Sequence, residues 1–68
     1  MESVYKIIKI IGTSEKSWED ATKTALEKAS KTIEDIRIAE VKKLDVKMKE
    51  DGSMVFRAKL DVSFKYKG

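Results

Sequence analysis

The segment Met54–Tyr66, MVFRAKLDVSFKY, alternates between apolar and mostly polar residues along its whole length. Successive side chains of a strand point to opposite faces of a sheet, so this period of two predicts a long β-strand with one buried face. A small protein needs broad cover for such a strand, and that cover has to come from a helix of the same chain or from neighbouring subunits. The apolar positions are the even ones: Met54, Phe56, Ala58, Leu60, Val62, Phe64 and Tyr66.

Two elements are predicted near the start of the chain. Val4–Ile11 is rich in β-branched residues and predicts a first strand, which we expect Gly12 to end. Thr13 and Ser14 follow as candidates for a helix N-cap. A helix is predicted over Glu15–Ile33, because apolar or small residues recur there at three- and four-residue steps. This stripe comprises Trp18, Ala21, Ala25, Ala29, Thr32 and Ile33.

A second strand and a hairpin turn lie between the helix and the alternating segment. Ile36–Lys49 predicts the strand, and its apolar residues change parity across Lys42 and Lys43, which indicates a β-bulge or a sharp bend. Glu50–Ser53, with Asp51-Gly52 at its centre, predicts the turn. The predicted fold class is α+β. It is a single β-α-β-β domain over residues 1–68, with a three-stranded antiparallel sheet wrapped around one helix.

The alternation also predicts which residues of the sheet face away from the helix. Even positions of the last strand should meet the helix together with Ile8 and Ile10, and several other apolar residues then point outward. They are either a scatter of exposed residues, which any protein surface has, or a subunit contact or ligand surface. We favour the contact surface, because these outward residues lie on one small sheet: Tyr5, Ile7, Ile11 and Ile38.

The composition excludes several classes of function. The 68 residues include no cysteine and no histidine, which removes disulfides, thiolate metal sites and the commonest general base. No nucleophile–base–acid set is present, so we expect no enzymatic activity. Fifteen basic residues against twelve acidic ones give a net charge of only +3. The aromatic residues Phe56, Phe64 and Tyr66 share the helix-facing parity, so they are not available to stack on bases and we expect no nucleic-acid partner.

The sequence also lacks signals for export or membrane insertion. The N-terminal stretch MESVYKIIKIIG interleaves lysines with its apolar residues, unlike a signal peptide. No stretch approaches the roughly 20 apolar residues that a membrane span requires. A cysteine-free chain rich in lysine, glutamate and isoleucine fits a reducing cytoplasm, which is the expected location.

Three segments of the chain resemble the dodecins, a family of small β-α-β-β proteins. They are VYKIIKIIGTSEKSWEDA (4–21), IEDIRIAEV (33–41) and VFRAKLDVSFKYK (55–67), so that the resemblance covers nearly the whole chain. The segments DIRIAEV and LDVSFK are closer to the calcium dodecins than to the flavin-binding dodecins. The resemblance implies that identical subunits assemble into a hollow dodecamer, so the expected partner is the protein itself.

The flavin site of the family is substituted at both of its ligand-binding positions. Flavin-binding dodecins stack the isoalloxazine ring on a tryptophan and hold its polar edge with a glutamine; the corresponding residues here are Ile38 and Arg57. Isoleucine has no π-face, and arginine has donors but no acceptor. The only tryptophan, Trp18, lies on the helix stripe and is interpreted as a packing residue. Flavin binding by the usual mechanism of the family is therefore not expected.

Arg57 has two interpretations. It is either a structural residue, in an interface salt bridge or in solvent, or an anion clamp for a ligand such as coenzyme A or a nucleotide. Centring the turn on Asp51 and Gly52 pairs Arg57 with Val46 and places Ile38 near Lys65. Ile38 and Arg57 then share a face but are too far apart to touch one small ligand within a subunit. A pocket that uses both must be built between subunits.

Calcium is a possible ligand, although no motif points to it. Calcium takes six to eight oxygen ligands, and no EF-hand spacing is present. We expect a non-catalytic oligomer that binds a small ligand or ion, namely calcium, coenzyme A or, weakly, flavin, at inter-subunit sites. The alternative is a purely structural oligomer with no physiological ligand. The identity of any metal ligand is left open among Glu19, Asp20, Glu34, Asp35, Glu40, Asp45 and Asp61.

Overall fold

The alternating segment near the C-terminus forms the central strand of the sheet. The computed structural model describes residues 2–67. Strand β1 spans Tyr5–Ser14, helix α1 spans Trp18–Ala29, strand β2 spans Ile36–Met48 and strand β3 spans Met54–Lys65. The three strands form one antiparallel sheet in the order β1-β3-β2. The predicted α+β class and β-α-β-β order are confirmed.

The helix packs on one side of the sheet, which we call the inner face; the opposite side is the outer face. The even residues of β3 lie on the inner face as predicted, and their side chains form the centre of the core with one alanine of α1. The buried hydrophobic residues among 2–67 are Ala21, Ala58, Leu60 and Val62. Around them pack Ile8, Ile10, Ala25, Leu26, Ile36 and Ala39.

The first strand is longer than predicted, because β1 continues through Gly12 to Ser14. Gly12 pairs with Ala58 of β3 and is buried. A Cβ atom at this position would overlap the carbonyl oxygen of Ala21 and would lie 2.8 Å from the Cβ of Ala25. Gly12 therefore lets the helix approach the strand closely, and the prediction that it ends the strand was wrong.

The helix is shorter than the predicted range Glu15–Ile33. Its N-cap is Ser17, whose Oγ accepts a hydrogen bond from the backbone N–H of Asp20 at 3.0 Å. The prediction of Thr13 or Ser14 as the N-cap was wrong, since both residues still belong to β1. The helix ends at Ala29, and residues 30–32 form a turn instead of a further helical turn.

The parity change in β2 is a shift of register, as predicted. Val41 pairs with Leu60 and Lys43 with Lys59, so Lys42 is the extra residue of a bulge. A second shift, which was not predicted, lies between Ile36 and Ile38. Together the two bulges keep apolar residues of β2 on the inner face on both sides of each shift: Ile36, Ala39, Val41, Leu44 and Val46 all pair with inner-face residues of β3.

The hairpin turn spans residues 49–53 and centres on Asp51. The N–H of Lys49 donates to the carbonyl of Ser53 at 2.9 Å, and Gly52 has a φ of 89°. That left-handed conformation suits glycine, so the predicted Asp51-Gly52 turn is confirmed. Its centre lies slightly earlier than predicted, and this changes the pairing of β2 with β3.

The helix lies mainly over β1 and β3, and it leaves the inner face of β2 partly open. Val41 and Leu44 face this side with 47% and 49% of their surface exposed. The subunit is elongated, with principal extents of 53 × 20 × 16 Å. Within residues 2–67, α1 is neither long nor apolar enough to cross a bilayer.

Candidate functional site on the outer face of the sheet

The outer face carries a large apolar patch. Tyr5, Ile7, Ile11 and Ile38 define what we call the outer apolar patch, and between 49% and 67% of each residue is exposed. Ile7 and Ile38 pair with Ser63 from its two sides, so they flank the same point of β3. Because strands lie about 4.8 Å apart, their side chains are separated by roughly 10 Å across a small serine. The patch is therefore continuous over Tyr5, Ile7 and Ile38, whereas the charged row of Lys9, Asp61 and Glu40 separates these residues from Ile11.

Further along the outer face, Arg57 forms a two-point ion pair with Asp45. Arg57 Nε donates to Asp45 Oδ1 at 2.6 Å, and its Nη2 donates to Oδ2 at 2.9 Å. The two residues are direct partners across β3 and β2. The sequence prediction paired Arg57 with Val46, which was wrong by one residue because the turn centres on Asp51. This correction gives Arg57 a carboxylate partner within its own subunit.

The same carboxylate lies close to a second cation. Lys59 Nζ is 3.6 Å from Asp45 Oδ2. Hydrogen bonding from Arg57 is the largest effect on the Asp45 carboxyl; with the positive charges of Arg57 and Lys59, it outweighs partial desolvation and lowers the pKa from 3.8 to about 2. Asp45 therefore stays ionised at any physiological pH, and it balances one of the two cations that contact it.

Trp18 connects the start of α1 to this part of the sheet. Its Nε1 donates to the backbone carbonyl of Asp45 at 3.0 Å, and its ring meets Phe56 edge to face with a centroid distance of 5.2 Å. About 37% of the residue is exposed. These contacts agree with the interpretation of Trp18 as a packing residue that holds the helix on the sheet.

The structure does not bring Ile38 and Arg57 together. Ile38 pairs with Ser63 and not with Lys65, whereas Arg57 lies six residues earlier along β3. At about 3.3 Å per residue, the two side chains are roughly 20 Å apart along the strand. One subunit therefore does not place both residues on one small ligand, as the sequence predicted. Whether either residue binds a ligand stays a prediction.

The acids considered as calcium ligands are dispersed over the subunit. Among residues 2–67, no three of them gather into a group that could hold a metal ion. Asp20 accepts a hydrogen bond from Ser14 at 2.6 Å, and Asp35 lies 2.7 Å from Lys67, which lowers the pKa of the Asp35 carboxyl. Glu40 and Asp61 face each other directly across β2 and β3 on the outer face.

Sequence reasoning missed the role of Asp45 as the partner of Arg57, and it missed the pairing of Glu40 with Asp61. Both pairings depend on the register of the hairpin, which shifts by one residue with the length of the turn. A predicted turn centred on Asp51 would have paired Arg57 with Asp45. No recognisable sequence signal marks the second bulge near Ile38.

Comparisons with known proteins agree with this architecture. The sequence profile of the Dodecin family matches residues 4–67. Calcium dodecin from Mycobacterium tuberculosis is 48% identical over 63 residues, which cover 93% of this chain and 89% of that protein. Its crystal structure, described as that of a calcium-chelating protein with a novel calcium-binding site, matches with a TM-score of 0.89 and 46% identity, over 96% of this chain and 93% of that chain. Dodecin from Thermus thermophilus is 35% identical over 65 residues, covering 96% of this chain and 94% of that protein.

Proposed function

The chain belongs to the dodecin family, and on that premise we propose that it is a non-catalytic protein which assembles into a homododecamer and binds calcium between its subunits. The observation that carries the proposal is the outer apolar patch, which one subunit leaves uncovered. Burying an isoleucine side chain contributes about 1.5–3 kcal/mol, so covering Ile7 and Ile38 in each copy strongly favours assembly. Membership of the family supports a second copy of the same chain as the surface that covers the patch.

Calcium is the ligand best supported by the comparisons, since a relative 48% identical over most of the chain is named a calcium dodecin. Glu40 and Asp61 offer a first pair of oxygen ligands because they face each other on the outer face. In the single subunit, Lys42 Nζ lies 3.7 Å from Glu40 Oε2, and Lys9 Nζ lies 3.3 Å from Asp61 Oδ1. A divalent cation between the carboxylates would replace both lysines, and further ligands would come from a neighbouring copy.

Titration of the assembled protein with calcium chloride tests this proposal. Native mass spectrometry should give twelve subunits, and calorimetry should show saturable binding that a chelator reverses. The double variant Glu40→Gln, Asp61→Asn should lose the binding, whereas Glu27→Gln, on the exposed side of α1, should keep it. A different mass would overturn the dodecamer, and an absence of calcium binding in the unaltered protein would favour a purely structural oligomer.

Flavin storage by the usual family mechanism is not part of the proposal. Ile38 has no aromatic face, and the guanidinium of Arg57 is already held at two points by Asp45. The pair also weakens the hypothesis that Arg57 clamps the phosphate of coenzyme A. The absorbance spectrum of freshly purified protein tests the flavin prediction, which a released flavin spectrum would contradict.

A further inference from the structure

The outer face contains a pair of lysines that oppose each other directly. Lys43 of β2 pairs with Lys59 of β3, and Ile11 of β1 lies on the other side of Lys59. Side chains in such positions are about 5 Å apart at Cβ, and like charges placed there destabilise the sheet. The register of the hairpin and the bulge at Lys42 therefore impose a repulsion that an anion would relieve.

The carboxylates around this pair do not neutralise it. Asp45 is shared between Arg57, which takes both of its oxygens, and Lys59 at 3.6 Å. Within residues 2–67, Lys43 forms no ion pair with any carboxylate.

The two neighbouring lysines are different, because each has an acid of its own. Lys9 lies 3.3 Å from Asp61, and Lys42 lies 3.7 Å from Glu40. This part of the outer face thus holds five cations and three carboxylates, which leaves two positive charges in surplus, centred on Lys43 and Lys59. The cations are Lys9, Lys42, Lys43, Arg57 and Lys59, and the carboxylates are Glu40, Asp45 and Asp61.

A groove of about 360 Å³ runs beside these charges. Four lysines line it, Lys9, Lys42, Lys43 and Lys59, together with one acid, Asp61, which is paired with Lys9, and Ile11 adds an apolar wall. The bulge contributes two consecutive lysines to the same groove, which a regular strand would direct to opposite faces. Positive charge from all three strands therefore converges on a concave surface with one apolar side.

We propose that this groove binds a dianionic phosphate group, held by Lys43 and Lys59, with Ile11 against the rest of the ligand. A phosphate monoester carries a charge of about −1.5 to −2 at pH 7, which matches the two surplus charges. Lysine binds phosphate as a point charge and needs no planar geometry. Lys43 and Lys59 form no ion pair with Glu40 or Asp61, the calcium ligands proposed above, although Asp61 lines the same groove.

The ion pair of Arg57 explains why the anion site lies here and not at Arg57. Two hydrogen bonds hold the guanidinium against the Asp45 carboxylate, whose charge offsets that of Arg57. Removing the charge of Asp45 would free Arg57 and would leave Lys59 without its nearest carboxylate. The proposal therefore predicts opposite effects for neutralising Lys43 and for neutralising Asp45.

Calorimetric titration of the assembled protein with inorganic phosphate, and separately with phenyl phosphate, tests the site at low ionic strength and pH 7.5. Lys43→Gln should weaken binding roughly tenfold, which corresponds to about 1.4 kcal/mol. Lys23→Gln removes the same charge from the exposed side of α1 and should leave binding unchanged. Asp45→Asn should tighten it severalfold.

Tighter binding of phenyl phosphate than of phosphate, lost in Ile11→Ala, would identify a phosphate ester as the ligand, and equal binding would identify free phosphate.

Absence of binding by both compounds would overturn the proposal, and so would equal weakening by Lys43→Gln and Lys23→Gln, because that result indicates a general effect of net charge. Native mass spectrometry checks that each variant keeps the assembly of the unaltered protein. If Lys43→Gln changes the oligomeric state, the test uses Lys43→Glu and Lys43→Arg instead, compared in the same oligomeric state as the unaltered protein. The proposal then requires that arginine retains binding and that glutamate abolishes it.

Discussion

Asp45 organises the outer face at the scale of single residues. Its carboxylate accepts two hydrogen bonds from Arg57 and lies near Lys59, while its backbone carbonyl accepts one from Trp18. One residue thus connects the two strands of the hairpin to the start of the helix. Because Asp45 is partly exposed, water and salt screen the ion pair, and its contribution is clearest in its dependence on pH.

The pH dependence of stability has a definite sign at Asp45. The hydrogen bonds from Arg57 lower the pKa of this carboxyl from 3.8 to about 2 in the folded protein. A group whose pKa is depressed by folding stabilises the protein above its unfolded pKa, and this contribution is lost as the pH falls through the folded value. We therefore expect the contribution to be complete above about pH 4 and to disappear towards pH 2.

Two measurements check this expectation. Carboxyl chemical shifts should place the Asp45 midpoint near 2, and Arg57→Gln should move it back towards 3.8. Urea unfolding of Asp45→Asn should lack this part of the acid dependence. An unchanged midpoint in Arg57→Gln would show that the ion pair does not form in solution.

The close packing of Gly12 against the helix predicts that a larger residue at this position destabilises the protein. The added methyl group of Gly12→Ala would collide with the backbone of α1 at Ala21 and with the side chain of Ala25. Forcing an extra carbon into a packed interface typically costs about 1–3 kcal/mol. Gly52→Asn is the matched control, because nothing lies within 4 Å of its Cβ position and asparagine tolerates a positive φ. Denaturant unfolding that shows equal stability for Gly12→Ala and the unaltered protein would contradict the close approach.

At the scale of elements, the start of the helix is held by two kinds of contact. Ser17 caps the backbone, and Trp18 contacts both the carbonyl of Asp45 and the ring of Phe56. Ser14 adds a bridge from the strand, because its Oγ accepts from the N–H of Lys16 at 2.9 Å and donates to Asp20. The connection between β1 and α1 is therefore tightly specified, although it contains no proline and no glycine after Gly12.

The N-cap gives a testable consequence. Ser17→Ala removes the acceptor for the N–H of Asp20, and loss of such a cap costs about 1 kcal/mol, with a range of roughly 0.5–2. Thr13→Ala changes an exposed strand residue and should have a much smaller effect. Thermal or urea unfolding distinguishes the two. A larger loss for Thr13→Ala would restore the cap position that the sequence predicted.

At the scale of the whole molecule, the subunit has little core for its surface. Its buried hydrophobic residues, within the described range 2–67, comprise two alanines, Leu60 and Val62. Small domains bury only about 60% of the surface of their unfolded chain, so further burial has to come from elsewhere. The outer apolar patch and the open inner face of β2 are two surfaces from which an assembly can gain it.

Disrupting the outer apolar patch should dissociate the assembly. Ile7→Asp places a charge on the patch, and Tyr5→Asp should act in the same way, because burying an unpaired carboxylate is strongly unfavourable. Thr24→Asp, on an exposed position of α1, is the control for the added charge. Light scattering or native mass spectrometry at micromolar concentration measures the outcome. A variant at Ile7 that keeps the mass of the unaltered protein would exclude the patch as a subunit contact.

The β-α-β-β order, the inward parity of β3, the parity change across Lys42 and Lys43 and the turn at Asp51-Gly52 were all predictable from the sequence. These features follow from local periodicity and from the backbone preferences of single residues, which adjacent positions reveal. The same periodicity assigned Tyr5, Ile7, Ile11 and Ile38 to the outer face.

The pairing of residues across that face became visible only in the folded protein. A shift of one residue in the hairpin changes every cross-strand partner, and the turn geometry that sets the shift is a property of the folded hairpin. The observed register pairs Arg57 with Asp45 and Lys43 with Lys59. The close contact of Gly12 with α1 is likewise a property of packing, since nothing in the neighbouring sequence shows that a helix returns to lie on that residue.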